Sequence, residues 1–534
     1  MKKNFFFMAA LLVAMTGCNK ESEIKEKENI NPEDKVYMSF SIKAAGTRSA
    51  TDEEGDTNSD ATPDYEVGKD YENTISKVDI VLANDDSYVV ANDVRPSGSV
   101  GNKYIAEFSS LELEAEKEYK VYIYANCDAP ATTKDLHATS NATIEEMTAN
   151  HSFWMTNAYE ARTVTMPEHM SIHTSPASPL NLGAHSVERS MARIDIKPTH
   201  KYDNFTENTF IVDSGDEDYP IYVTLTEAAL INHSIDFYQL RRVSADGTDA
   251  NWVVGGVETP DNYVVDADYA DKAYGARGQV VISVKKGELF TSHMTMPETW
   301  EWIPMPTSND KNTDNWEGAT GNEDYHIWQY CKENTIPGVD IQEKGITTGV
   351  VFKAAIHSEK YEIEDAMEAG HVLFLFENVF YGPWHAVKAA AAEPDAPTTL
   401  VAAVAEVESA NIPSYEIGKP QHKQIYEQAG FTGFSREEDE SGRIGKYYTY
   451  YYYWIRHNDN GDNAVMGPME FAVVRNNVYK LCVENIYKLG HPTPGKDPDP
   501  NPEYHTDPDE SLNYYFNVTV DVLPWTVRVN NIEF

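Results

Sequence analysis

Between Gly490 and Ser511 the chain reads GHPTPGKDPDPNPEYHTDPDES. Each proline removes a backbone donor, and so few apolar residues cannot build a core, so this stretch takes no regular fold. After Leu512 and Asn513 comes YYFNVTVDVLPWTVRVNNIEF, the last 21 residues of the sequence. Phe516, Val518, Val520 and Val522 alternate with polar residues, and beyond Pro524 the alternation resumes at Trp525, Val527 and Val529. That is the period of a half-buried strand. Some 20 Pro- and Asp-rich residues near the polyproline rise of about 3.1 Å per residue span roughly 60 Å, more than the radius of one domain. An unpaired strand on such a leash is an aggregation hazard, so it must complete a sheet, and the reach allows that sheet to belong to another molecule.

The other end carries a matching strand behind an export signal. Lys2 and Lys3 precede FFFMAALLVAM, an apolar run too short for a membrane span and flanked like a secretory signal. It leads into Met15-Thr16-Gly17-Cys18, small residues before a cysteine that resemble the lipobox of bacterial lipoproteins. That resemblance implies that Cys18 is diacylated and becomes the first residue once the signal is removed. The charged tract NKESEIKEKENINPEDK follows, too poor in apolar residues to fold. In VYMSFSIKA, Val36, Met38, Phe40 and Ile42 then alternate as a strand. The loose segment AAGTRSATDEEGDTNSDATPD comes next and holds Arg48, the first arginine of the chain, among small residues. An extended, exposed arginine suits an arginine-specific protease cutting between Arg48 and Ser49.

The body of the chain reads as strands. ISKVDIVLA, KYIAEF and EYKVYIYANC have the spacing of a sandwich, and Thr143 with Glu146 forms a capping box for a short helix. SVERSMARIDIKP, residues 186–198, is expected as one strand ended by Pro198, with a domain boundary there. A second set follows in IYVTLTEAALI, QVVISVKK, GVVFKAAI and HVLFLF, with an Ala-rich stretch near residue 400. KYYTYYYYWIRHNDNGDN is expected to enter an Asn-Gly turn, with MEFAVVRNNVYKLCVENIYKL as the return strand or strand pair. The expected division is a signal and lipobox over 1–18, a propeptide with a removable strand over 19–48, an N-terminal domain over 49–197, a C-terminal domain over 198–488, and a tether with the terminal strand over 489–534. The fold class is all-β with short helices.

Chemistry is sparse. A formal charge of −43 excludes nucleic acid as a partner, because phosphate binding needs clustered Lys and Arg. Cys127, Cys331 and Cys482 remain beside Cys18; an odd number leaves at least one thiol unpaired, buried free cysteines are expected, and no spacing suggests zinc. His169 and His173 in PEHMSIH have a ligand spacing, but Pro167 and the Ser/Thr-rich surroundings make a loop. HNDNGDN lacks the glutamate of a calcium loop at its twelfth position. GxSxG, P-loop and dinucleotide fingerprints are absent from the sequence, so neither an enzyme nor a cofactor nor a metal is expected. YYTYYYYW could offer aromatics to a glycan, but strand alternation buries every second ring in a sandwich core.

VERSMARI, MEFAVVRNNVYKLCVENIYKLG, the DPDPNPEYHTDPD tether and the ending VTVDVLPWTVR together resemble the fimbrillins, the type V pilins of Bacteroidales, and most closely the shaft-forming subunit of their minor fimbriae. The three mature cysteines and the acidic segment after Arg48 lie outside the resemblance. It implies two tandem β-sandwich domains of Greek-key, transthyretin-like type and an extended C-terminal donor strand. It further implies a precursor lipid-anchored at the outer membrane in transit, cut by an arginine-specific protease at the cell surface and polymerised by strand exchange into an adhesive fimbrium. The implied partners are identical subunits, accessory anchor and tip subunits, the protease and the outer membrane. The alternation reaches the same mechanism independently. If the strand carrying Val36, Met38, Phe40 and Ile42 leaves after cleavage, it opens a groove with free backbone groups and bare apolar pockets, and the equally periodic terminal strand of a neighbour can refill it. Donor and acceptor surfaces differ, so the contact is head-to-tail and builds a filament. The alternatives are an anchor or tip subunit, and a glycan-binding surface lipoprotein that never polymerises.

Overall fold

The computed structural model describes residues 35–44, 66–97, 102–132, 136, 139–215, 220–231, 233–234, 236–244, 253–254, 263–265, 267, 273–274, 280–281, 300–308, 325–335, 348–358, 372–438, 444–457, 469, 472–494 and 516–526. Strands dominate, with a few short helices, so the all-β reading is borne out. In the first sheet the strands lie in the order Tyr88–Val94, Val78–Ala83, Glu118–Ala125, Met155–Asn157, Leu180–Arg189, Lys35–Ala44, Lys103–Ser109. A bridge between Pro96 and Tyr104 joins the two ends of that order, so the sheet closes around one core that includes Ile80, Val121, Ile123, Met155 and Leu182. The Thr143–Glu146 capping box opens the helix Ile144–Met147 and delivers Met147 to that core.

The second half is two sheets packed face to face. One holds Glu66–Val67, Phe516–Thr526, Asn477–Ile486, Ala192–Lys197 and His326–Cys331; the other is built on Ile221–Ile231, Gly349–Ser358, Ile444–Trp454, Phe431–Glu438 and Val372–Phe376. Between them lie Ile194, Ile196, Leu481 and Val483 from the first, with Val223, Phe352, Tyr447 and Tyr451 from the second. The Ala-rich stretch folds as the helix Thr398–Ser409, whose Leu400, Ala403 and Val407 face inward at helical spacing. With Trp384, Val387 and Tyr426 they cover Phe374 and Phe376.

Three sequence expectations are corrected here. Residues 186–198 are two strands in different sheets, because the chain crosses over at Ser190 and Met191. Ser190 N–H donates to Trp154 (2.9 Å) on one side, and Asn476 N–H donates to Met191 (2.8 Å) on the other. No Gly or Pro marks the break in SVERSMARI, so local pattern does not reveal it. Strand 477–486 is not the return strand of 444–454. It runs parallel to Ala192–Lys197 in the opposite sheet, whereas 444–454 pairs with 349–358 and 431–438; the Asn-Gly turn itself lies outside the described residues. The Tyr-rich strand buries rings on both faces: Tyr447 and Tyr451 point into the sandwich, and Tyr450 and Trp454 pack against Trp300 on the other side. Among the described residues Cys127, Cys331 and Cys482 are buried thiols, none of them in a disulfide.

Candidate assembly site

Val36, Met38, Phe40 and Ile42 are each at most 3% exposed. Their strand lies antiparallel to 103–109, with Val36 opposite Phe108, Met38 opposite Ala106 and Phe40 opposite Tyr104. On its other side it runs parallel to 180–189, with Met38 opposite Leu180, Ile42 opposite His185 and Ala44 opposite Val187. It is therefore an interior strand, hydrogen-bonded along both edges, although the chain reaches it before any other described element. The register skips a residue between Asn181 and Gly183 opposite Ser39 and Phe40. Gly183 has φ +88°, and a Cβ there would run into the Arg162 guanidinium, so this bulge requires glycine. It keeps Phe40 and Ile42 in phase with the pockets below them.

Phe40 stacks on Tyr104, ring centroids 5.1 Å apart and planes at 14°, and meets His185 edge-on at 6.4 Å and 75°. Burial holds the His185 imidazole down at about 4, with the Arg162 charge adding to the effect. On the outer face Lys35 pairs with Glu107 at 2.7 Å, and the Tyr37 hydroxyl donates to the same carboxylate. At about 1.5–3 kcal/mol for each large apolar side chain, the four inward residues contribute roughly 6–12 kcal/mol. That is comparable to the whole stability of a domain, about 5–15 kcal/mol. The strand is thus a main contributor to the stability of the first half.

The Ala44 end of the groove abuts a buried polar joint between the two halves. Arg193 donates to Glu72 (3.0 Å) and in a fork to Asp195 (2.9 and 2.8 Å). The Tyr330 hydroxyl donates to Glu72 (2.6 Å). Arg189 donates to the Glu72 carbonyl (3.1 Å) and to Asn73 (2.6 Å). Beside them Arg241 faces Glu188 at 3.0 Å, and Arg475 is held by Glu333 and by the Gln239 carbonyl. VERSMARI supplies Glu188, Arg189 and Arg193 to this joint. Reading the residues alone missed it; the available signal was charge repeatedly interrupting an apolar strand.

The terminal strand is seated elsewhere. Phe516–Thr526 runs antiparallel to 477–486, with Val518 opposite Val483, Val520 opposite Leu481, Val522 opposite Tyr479 and Pro524 opposite Asn477. Its far end lies parallel to Glu66–Val67, with Trp525 opposite Glu66. It is the penultimate strand of its own second sheet, beside a two-residue edge. Val527 and Val529 lie outside the described residues, as do Cys18, Arg48 and Ser49. His173 sits in the short turn Met170–His173, its Nδ1 2.9 Å from the Ser178 carbonyl. Among the described residues no three metal-ligating side chains gather, and no helix is long and apolar enough to cross a membrane.

Two family models match the chain. Residues 36–196 match that of the major fimbrial subunit protein (FimA), and residues 446–531 match that of the C-terminal part of fimbrillin, major fimbrial subunit protein type IV. The first match begins on Val36 and ends one residue short of the end of strand 192–197; the second takes in both 477–486 and the terminal strand. The resemblance to the fimbrillins is borne out, and with it the coarse class, a structural fimbrial protein of the cell surface. No individual curated sequence matches. Among solved structures, a fimbrillin (FimA) from Porphyromonas gingivalis W83 is 14% identical with a TM-score of 0.38, covering 94% of this chain and 100% of that one. A candidate cell adhesion protein from Parabacteroides distasonis is 11% identical with a TM-score of 0.39, covering 92% and 99%. A fimbrial assembly protein from the same species is 12% identical with a TM-score of 0.22, covering 52% and 86%. Likeness this low carries no weight beyond the matches themselves.

Proposed function

We propose that this fimbrillin-type chain is the shaft subunit of a surface fimbrium. It is exported as a lipoprotein acylated on Cys18 and cut between Arg48 and Ser49. It then polymerises when the terminal strand of a neighbour replaces Val36, Met38, Phe40 and Ile42. One observation carries the reading. The residues upstream of Arg48 supply an interior strand of the first sheet, so a single cut detaches an element with two hydrogen-bonded edges and four filled pockets. Phe516, Val518, Val520 and Val522 repeat the four-fold apolar spacing of the strand they would replace, with Trp525, Val527 and Val529 beyond them. In its own molecule the terminal strand has one long partner and one two-residue partner. In the groove it gains two long ones, which favours exchange.

The test is to incubate purified precursor with an arginine-specific protease and look for an SDS-resistant ladder; complete cleavage without a ladder refutes polymerisation by this route. Cys18→Ala should leave the precursor unlipidated and poorly delivered to the surface, and normal surface filaments from that variant would remove the lipid from the account. The seating of the terminal strand in its own sheet favours one second reading, an anchor or tip subunit that accepts but does not donate. Immunogold label spaced along the filament supports the shaft, and label at filament ends alone supports the second reading. The glycan-binding alternative loses ground to the packing of Tyr450 and Trp454 against Trp300.

A further inference from the structure

In the strand Ile444–Trp454, Tyr447 and Tyr451 point into the sandwich, so Tyr448, Tyr450, Tyr452 and Trp454 share its outer face, one ring every two residues and roughly 7 Å apart along the strand. This sheet is not the one that meets the first half. Val478 and Tyr330, which pack on the first core, belong to the opposite sheet, and so does the seat of the terminal strand. The outer face of 444–454 therefore takes no part in the groove or in the seat.

The aromatic rings on this face form two layers. Trp300, Tyr450 and Trp454 are a buried floor, packed with Ala229 and Val351. Against them lie Trp302, Tyr448 and Tyr452, each only half-buried. Trp302 is delivered by Ile303 and Pro304, which sit opposite Ala228 and Glu227, and its ring lies 5.7 Å from Trp300 and 6.0 Å from Tyr450. Tyr452 is fixed by Trp454 (6.4 Å, planes at 30°), by Trp300 edge-on (6.4 Å, 82°) and by the His491 ring (5.4 Å, 76°). The Lys353 ammonium stands 4.1 Å from the Tyr448 ring centroid and 5.7 Å from that of Trp302, and 3.5 Å from the Glu227 carboxylate. The lysine side chain is 12% exposed and the glutamate 34%. Rings that only close a core are buried like the floor. The second layer is held as firmly, yet it keeps surface open beside a polar pair.

We propose that Trp302, Tyr448 and Tyr452, with the Lys353–Glu227 pair beside them, form a binding platform for a neutral oligosaccharide, carried by a subunit that also polymerises. The C–H faces of pyranose rings lie flat on the aromatic rings, and sugar hydroxyls bond to the Lys353 ammonium and the Glu227 carboxylate. Charge selects this occupant. The two charges on the face cancel within one pair, and a formal charge of −43 on the whole chain repels an anionic ligand. An apolar peptide or a lipid chain would strip water from the Lys353–Glu227 pair and give nothing back, which is costly; a hydroxyl-bearing ligand replaces that water. Tyr450 and Trp454 support the platform from below and touch no ligand. Fixed rings lose little freedom on binding, and a filament that repeats the site on every subunit turns a weak single contact into firm adhesion.

The experiment titrates uncleaved full-length precursor, so its outcome does not depend on strand exchange. The probes are neutral tetra- to hexasaccharides of glucose, galactose and mannose, with a heparin oligosaccharide as the charged control, followed by calorimetry and by tryptophan fluorescence. At least one neutral series should bind. Trp302→Ala combined with Tyr448→Ala should weaken that binding at least tenfold, whereas Trp302→Phe should keep most of the calorimetric binding and lose most of the fluorescence change. If the double variant melts early, Tyr448→Ala alone serves, with a loss of at least threefold. Binding by none of the neutral series, or binding that the alanine variants retain in full, overturns the platform. Binding of heparin alone overturns the neutral ligand. Acrylamide quenching of wild type against Trp302→Phe should show an indole at 302 open to water; an indole closed to the quencher would mean that the chain itself covers the face, and overturns the site.

Discussion

Phe40→Ala separates the precursor from the filament. In the precursor Phe40 is 3% exposed and stacked on Tyr104 at 5.1 Å, in an interior strand that cannot collapse inward without breaking its ladders with 103–109 and 180–189. Emptying such a site costs about 3–5 kcal/mol, of which about 0.5–1.5 kcal/mol is the ring pair. With a urea dependence of about 2 kcal/mol per M, the unfolding midpoint of the first half should fall by about 2 M. On the proposed cleavage and exchange the same substitution should leave the filament untouched, since residue 40 would depart with the segment ahead of Ser49 and a neighbour's strand would fill the pocket. The assay is urea unfolding of precursor by fluorescence, beside urea disassembly of filaments grown from wild-type and variant precursor. A precursor midpoint within about 0.5 M of wild type would show that the pocket is not what holds the strand. Filaments weakened as much as the precursor would show that the leading strand stays in the polymer.

Three further outcomes follow from the same geometry. N-terminal sequencing of filaments should begin at Ser49, giving a chain of 534 − 48 = 486 residues, and Arg48→Ala should abolish both the cut and the polymer; a start at Cys18 or Asn19 contradicts the cleavage site. Acid should weaken the precursor. His185 has its folded value depressed to about 4 from an ordinary 6.5, so as pH falls through that window the unfolded chain takes up a proton that the folded one refuses, and about 3 kcal/mol is lost by pH 4. His185→Gln should flatten that decline in urea titrations between pH 7 and 4, and an unchanged slope would remove His185 from the account. Arg193→Ala leaves Glu72 and Asp195 buried without their cation and should cost about 3–5 kcal/mol, read as a lowered melting point; a loss under about 1 kcal/mol would mean that the joint is wet.

The leading strand was legible because strand alternation is local: Val36, Met38, Phe40 and Ile42 declare their face within seven residues. The capping box at Thr143 was legible for the same reason. Pairing partners were not. Nothing near Val483 says that its neighbours are Ala192–Lys197 and the terminal strand rather than the Tyr-rich strand, since that choice is made by chain crossing between sheets. The break at Ser190 was hidden because no Gly or Pro interrupts the run from Ser186 to Lys197. The joint was hidden because Arg189 and Arg193 look solvent-facing until Glu72, more than a hundred residues earlier, is brought beneath them. The groove was therefore inferred with its plug known and its walls unknown. The structure supplies the walls, strands 103–109 and 180–189.

The central claim is that the strand beginning at Phe516 leaves its place beside 477–486 and fills the groove of another molecule. Filaments grown from an equal mixture of isotopically light and heavy precursor, cross-linked and analysed by mass spectrometry, test it directly. The account predicts links from residues 516–526 to strands 103–109 and 180–189, with heavy–light pairs as frequent as like pairs. Links from 516–526 confined to 477–486 of the same chain, in filaments that are nonetheless intact, would contradict it.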